Sequence, residues 1–350
     1  MKSLLAALAP VVCAAAVGLA CPWSCAPAQA QMKQNWMYAS SVPVHEQKPA
    51  FPVKEKAIRI VLAEPAGSAA DAQARAVAPQ LAALLGVPVE VDNRPEGGPL
   101  RAAQDVLNSL PDGHTLLYAA SATLAQAPHL LHAASFDPLN DFAPVTVSAR
   151  DPLMLLVGRA VAVSNVAELI AYGRAHPGQL RLASMGVGSA AHLLGVTLAA
   201  NTGIDVVHVP CRNAADCIDA LASGRAQLVV DTAPVVLRAV QSGQARVLAV
   251  AASQRSPFQP GVPTFKEQGV NDLDISGFFA WYAPGGVQPA TAASLHSAVS
   301  QALQQASVQA AFEASAYRAE SSTPQELTAW VKGAYDAWGG LVRRAGVAKQ

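Results

Sequence analysis

From Ala57 onward one pattern recurs: a short apolar run, a loop of small residues, then a stretch with helical periodicity. Ile58-Arg59-Ile60-Val61-Leu62-Ala63 is rich in β-branched residues, as a strand covered on both faces should be. Asp71–Leu85 places Val77, Leu81, Leu84 and Leu85 on one helical face, and Gly86 ends it. Pro79 predicts a kink or a nearby break. Val87–Val91 reads as the next strand, Glu96-Gly97-Gly98-Pro99 as a turn, Arg101–Leu110 as a helix and Thr115–Ala119 as a strand. Beyond them Leu153–Val157, Leu180–Ala183, Val206–Val209, Leu228–Val230 and Arg246–Val250 read as strands separated by short helices. Asn165-Val166-Ala167-Glu168 opens one of these as a capping box, and His176-Pro177-Gly178 ends it. Val299–Phe312 and Glu326–Val342 read as closing helices. Strands alternating with helices require parallel sheets with covered faces, so the chain is α/β.

The length of 350 residues suits about two domains. Basic and acidic residues balance at 24 each, without a Lys/Arg cluster, which excludes a nucleic-acid binder. A hydrophobic share of 52% excludes disorder. The charge-free stretches Leu182–Ile204 and Ile275–Leu295 are broken by Gly, Ser, Asn or Pro and read as folded segments of a soluble protein rather than membrane spans. Met1–Ala30 has the plan of a secretory signal peptide: Lys2, the apolar run Leu4–Ala20, then Ala28-Gln29-Ala30 as cleavage site. Gly18-Leu19-Ala20-Cys21 is only a faint lipoprotein box. Gln31–Lys56 reads as a flexible leader. Cleavage after Ala30 leaves Cys211 and Cys217, an even pair in an oxidising compartment. A disulfide between them is expected, with two buried thiols as the alternative.

Two loops suit ligand binding. Pro65-Ala66-Gly67-Ser68-Ala69-Ala70-Asp71 and Ser184-Met185-Gly186-Val187-Gly188-Ser189 each lie between a strand and a helix. Their small residues admit a ligand to the backbone, and the helix that follows presents unpaired N–H groups, a geometry suited to carboxylate or phosphate. Either loop alone also fits an ordinary tight turn; together they are expected to face each other across a cleft. Gly186-Val187-Gly188-Ser189-Ala190-Ala191 matches G-x-G-x-x-A, but the next strand ends Val209-Pro210-Cys211 without an acidic residue, so no dinucleotide cofactor is expected. There is no G-x-S-x-G, H-E-x-x-H or phosphate-loop lysine motif, and no metal-ligand spacing. His192 reads as a capping or packing residue. Neither catalytic residues, metal nor cofactor are indicated.

The chain resembles the periplasmic solute receptors of tripartite tricarboxylate transporters, the Bug family, from about Ile58 to Val347. The resemblance is carried by Pro65-x-Gly67-x-x-x-Asp71, Asn93-Arg94-Pro95, Pro111-Asp112-Gly113-x-Thr115-Leu116 and Phe136-Asp137-Pro138-x-x-Asp141-Phe142-Ala143-Pro144-Val145. It continues through His176-Pro177-Gly178, Ser184-x-Gly186-x-Gly188-Ser189-x-x-His192-Leu193, His208-Val209-Pro210, Val262-Pro263-Thr264 and Ala283-Pro284-x-Gly286. It implies a Venus-flytrap fold, two α/β domains hinged around a ligand cleft. Domain 1 would be Ala57–Arg150 plus Phe279–Gln350, and domain 2 Asp151–Phe278. The implied function is a monomeric periplasmic binding protein that delivers a small carboxylate to a membrane transporter or a sensor. A secreted two-domain enzyme acting on a small carboxylate is the alternative. Carried over by position, the ligand contacts would come from Gly67, Ser68, Ala69, Ser121, Thr123, Ser184, Gly188, Ser189 and Asp231. The chain departs from the family at Glu64, usually aromatic; at Ser68, usually a second glycine; at Ala127, commonly Asn; and at Cys211-Arg212-Asn213, usually Tyr-Lys-Gly. Glu64 facing the cleft would disfavour citrate and favour a monocarboxylate bearing a hydrogen-bond donor.

Overall fold

The computed structural model describes residues 51–350; the signal peptide expected at Met1–Ala30 and the expected leader as far as residue 50 lie outside the described residues. The chain builds β1 (Ile58–Leu62), α1 (Ala69–Leu85), β2 (Val89–Asn93), α2 (Gly98–Leu107), β3 (Thr115–Ala120), α3 (Ser121–Ala125) and α4 (Ala127–Leu130). A 17-residue strand, β4 (Phe142–Gly158), then leads to α5 (Val166–Ala175), β5 (Leu180–Ser184), α6 (Ala190–Thr202) and β6 (Val206–Pro210). These are followed by α7 (Ala214–Ala222), β7 (Leu228–Thr232), α8 (Ala233–Gln241) and β8 (Ala245–Ala251). β9 (Ser276–Pro284) returns the chain to its first half, completed by α9 (Pro289–Leu303), α10 (Ala306–Ala314) and α11 (Pro324–Arg344).

The strand order is β2-β1-β3-β9-β4-β7-β5-β6, with β8 also on β4. β1 pairs in parallel with β2 and β3, and β5 with β6 and β7, as alternating strands and helices require. The crossing strands differ. β9 is antiparallel to β3 and β4, and β4 is antiparallel to β7 and β8. β4 pairs with β9 from Phe142 to Pro152, then with β7 and β8 from Leu153 onward, so one strand serves both halves. Its register slips between Pro144 and Thr146, where proline has no N–H for the ladder. Each sheet is thus mostly parallel, as expected, with β4 and β9 as its antiparallel members.

Each half is a sheet covered on both faces. In the first, Ile58, Ile60 and Leu62 pack with Val77 and Leu81 of α1, Leu295 and Val299 of α9, and Val308 and Phe312 of α10. Val61 and Leu117 face α2 and α11 through Leu100, Val106, Leu327 and Val331. In the second, β4 divides by alternation. Leu155 and Val157 join Leu169, Leu194 and Leu198, whereas Met154 and Leu156 join Cys217, Leu221 and Val236. A further cluster of Ala125, Leu193, Ile275, Trp338 and Leu341 ties α3, α6 and α11 together at the junction.

Three expectations change. The helix is not broken at Pro79, which lies inside α1, and Leu84 is exposed rather than on the buried face. Val299–Phe312 is two helices meeting at Gln304-Gln305, a break that turns Val308 and Phe312 onto the α1 core. The leader is anchored from Phe51 on: its ring meets His114 edge-on at 5.3 Å, Val53 N–H donates to His114 Nε2 at 3.1 Å, and Lys56 pairs with Asp112. The Phe51 ring occupies the space that a side chain at Gly113 would need. Cys211 and Cys217 form a disulfide with Cα atoms 5.4 Å apart, fastening the end of β6 to α7. Among the described residues no helix is long and apolar enough to cross a membrane.

Candidate ligand-binding cleft

The β1–α1 and β5–α6 loops are built alike. Gly67 (φ 84°), Gly186 (φ 115°) and Gly188 (φ 84°) occupy left-handed backbone that a side chain would strain. Ser68 caps α1 by accepting from Asp71 N–H at 3.2 Å, and Ser189 caps α6 by accepting from His192 N–H at 3.3 Å. Each cap satisfies the third N–H of its helix. Among the described residues, the N–H groups of Ala69 and Ala70, and of Ala190 and Ala191, find no acceptor in the protein. Two helix N-termini, one in each half, therefore keep two donors each at their positive ends.

What fixes each loop was only partly visible in the sequence. Asp71 is 4% exposed and accepts from Gly67 N–H (2.8 Å), Arg75 Nε (2.9 Å) and Asn93 Nδ2 (3.0 Å). Burial raises its pKa, but Arg75, Gly67 and Asn93 together more than offset this and hold it below the usual carboxylate range. The Gly67 N–H, expected to meet ligand, is thus committed to Asp71. Asn93 also donates to the Glu64 carbonyl at 2.9 Å, which explains why these motif residues occur together. In the second loop Ser184 is 1% exposed, hydrogen-bonded to His208 Nε2 at 2.7 Å and accepting from Ser189 Oγ at 3.2 Å. Gly188 N–H meets His192 Nδ1 at 3.3 Å. Burial lowers the pKa of both imidazoles, that of His192 further through neighbouring His208, so both are neutral near pH 7. His192 is a packing residue, as its position suggested.

The remaining expected residues separate into two groups. Ser121 and Thr123 are buried, and Ser121 Oγ accepts from Phe278 N–H of β9 at 3.3 Å. Beside them Gln126, absent from the sequence reading, donates to the Gly188 carbonyl at 3.0 Å and joins the two halves. Glu64 and Asp231 fall at the junction with Asp151, another residue the sequence reading passed over. Burial pushes the Asp151 carboxyl up to about 7 and Asp231 up to about 6. Tyr317 Oη donates to Asp151 at 2.9 Å, while the charges of Asp231 and Glu64 raise Asp151 further. Glu64 is half-buried, its Oε2 has no partner, and burial raises its pKa. Among the described residues no arginine pairs with it. Asp151 was recognisable only as a charge inside an apolar strand, since its partners come from the β1–α1 loop, β7 and the segment before α11.

Gly67, Ser68 and Ala69 line a groove of ≈450 Å³ with Pro234, Arg238 and Phe258 from the other half. The second loop instead packs against Gln126 and Leu130. Each loop thus meets the opposite half, but along a different wall. Among the described residues no cluster of His, Cys, Asp or Glu is suited to a metal.

Two covered sheets joined by crossing strands, with helix N-termini turned to the junction from both, define a periplasmic-binding-protein fold. Residues 73–347 match the family model described as the tripartite tricarboxylate transporter family receptor, and the chain belongs to that family. It is 31% identical over 290 residues to Protein BugT of Bordetella pertussis, covering 83% of this chain and 89% of BugT. An R. palustris protein solved with adipate is 28% identical with a TM-score of 0.71, over 86% of this chain and all of that one. MatC from Rhodopseudomonas palustris, with bound malate, is 28% identical with a TM-score of 0.66, over 83% of this chain and all of MatC. The family is one of solute-binding receptors of tripartite tricarboxylate transporters.

Proposed function

We propose that the protein is a periplasmic receptor, exported by Met1–Ala30, that closes two lobes on one small carboxylate and presents it to a membrane transporter or a sensor. In this reading it acts as a monomer and catalyses nothing. The lobes are Ala57–Arg150 with Phe279–Gln350, and Asp151–Phe278. The observation that carries the reading is the pair of capped loops, whose four free N–H groups suit carboxylate oxygens. Ala69, Ala70, Ala190 and Ala191 are the main donors, held in place by the caps Ser68 and Ser189 and by the buried Ser121, Thr123, Ser184 and Gly188 behind the loops. The adipate and malate of the two neighbours point to an aliphatic acid. Glu64 and Asp231, with Asp151, oppose a second ionised carboxylate near the junction and favour a ligand that brings a hydrogen-bond donor there.

The one feature in favour of an enzyme is the Ser184–His208 contact, but Ser184 is 1% exposed and a substrate has no access to it. The test is calorimetry of the mature protein against malate, adipate, citrate, glutamate and nicotinate, with product analysis of each mixture. One equivalent bound without turnover, citrate binding weakest at pH 8, is the expected result. A ligand at 100 times its Kd should stabilise the fold by about 2.7 kcal/mol. Turnover of any acid, or no binding across the panel, would refute the receptor reading.

A further inference from the structure

A second cavity, of ≈460 Å³, lies where β4 and β9 cross, on the side of β8. Arg150, Arg318 and Glu320 enter it from the first half, and the segment from Ser253 to Ser256, including Arg255, from the second. It touches neither the Ser184–Ser189 loop nor Ala69, meeting the groove of the first loop only at Phe258 and Ala316.

Its three guanidinium groups are not equivalent. Arg150 is held by Glu320 at 3.0 Å and lies over the Trp330 ring at 4.2 Å. Arg255 Nε is fixed by both Glu267 carboxylate oxygens at 3.0 Å, and its Nη1 donates to the Pro260 carbonyl at 3.3 Å. Arg318 is exposed and has no hydrogen-bond or ion-pair partner among the described residues. Three cations face two carboxylates, leaving one unbalanced positive charge, borne by Arg318. Among the described residues, the backbone N–H groups of Ser253, Gln254, Arg255 and Ser256 also find no acceptor. Two oriented arginines, one free arginine and a run of open N–H groups make a donor-rich wall in which Glu320 is the one lining carboxylate, a composition suited to an oxyanion.

We propose that this cavity is a second anion site, taking a small doubly charged oxyanion, a dicarboxylate or inorganic phosphate, with Arg318 as its main contact. Because the donors come from both halves, the bound anion would bridge them beside the groove of the first loop. The proposal does not rest on the ligand assigned to those loops.

The test is calorimetric titration of the full mature protein with inorganic phosphate and, separately, malate, using wild type, Arg318→Ala, Arg318→Glu and Ser189→Ala. Arg318 is exposed, and unchanged melting curves will show that its variants fold. Phosphate should bind wild type at a site that Arg318→Ala weakens at least tenfold and Arg318→Glu abolishes, while Ser189→Ala leaves it intact. If malate alone shows an Arg318-dependent site, the natural occupant is a carboxylate; if phosphate does, it is inorganic phosphate. No binding of either anion at millimolar concentration, or affinities the same in wild type and both Arg318 variants, would overturn the proposal.

Discussion

Burial between the halves raises three carboxyl groups together, Asp151 up to about 7, Asp231 up to about 6, and Glu64 in the same direction. A carboxyl whose folded value exceeds its unfolded value of roughly 3.9 takes up its proton earlier in the folded state. The stability this confers is complete below the unfolded value and is lost as pH rises through the folded one. For Asp151 the window runs from about pH 4 to about pH 7. Asp151→Asn keeps an acceptor for Tyr317 and removes the charge. Its stability relative to wild type should be near zero at pH 4 and rise to about 2 kcal/mol by pH 8, read from urea unfolding. A difference independent of pH would show that Asp151 is solvated. The same protonation bears on ligand affinity: malate should bind wild type more tightly at pH 5.5 than at pH 8, and Glu64→Gln with Asp151→Asn should flatten that dependence. Glu64 stood out in the sequence as a departure from its family. Its desolvation and its two carboxylate neighbours did not, because Asp151 and Asp231 lie far from it along the chain.

At the scale of elements, the strand–loop–helix units were legible because each is a local pattern: a β-branched run, small loop residues, a serine cap. β9 and the first half of β4 were not. Their prolines and small residues give no clean period, and their antiparallel pairing is decided by which halves they connect. The loop clamp likewise depends on residues apart in sequence. Asp71→Ala removes the buried acceptor shared by Gly67, Arg75 and Asn93 and should cost about 2 kcal/mol, the loss of hydrogen bonds to a charged group. A loss below about 1 kcal/mol would mean that the loop holds its shape without the clamp. The Cys211–Cys217 spacing was also readable, and the structure closes that loop as a disulfide. Titration of the denatured, unreduced mature protein should find no free thiol, and replacing both cysteines by serine should cost roughly 2 kcal/mol. Two titratable thiols would contradict the pairing.

At the scale of the molecule, β4 is the strand that pairs in both sheets, and β9 brings the chain back to the first along it. A ligand held by loops from both halves should draw them together about these strands, with a smaller radius of gyration in solution scattering. The central claim, that backbone N–H groups at two helix N-termini hold the carboxylate, has a sharper test. Ala69 and Ala190 are the first residues of α1 and α6, where proline is well tolerated and removes only the N–H. Ser68 (φ −70°, ψ 166°) and Ser189 (φ −60°, ψ 155°) already have the extended backbone required before proline. Once a binding acid has been found, its Kd should be measured by calorimetry for wild type, Ala69→Pro, Ala190→Pro and the double variant. Each single variant should weaken binding about tenfold or more while melting as wild type does, with a larger loss in the double variant. Wild-type affinity in all three would contradict the account.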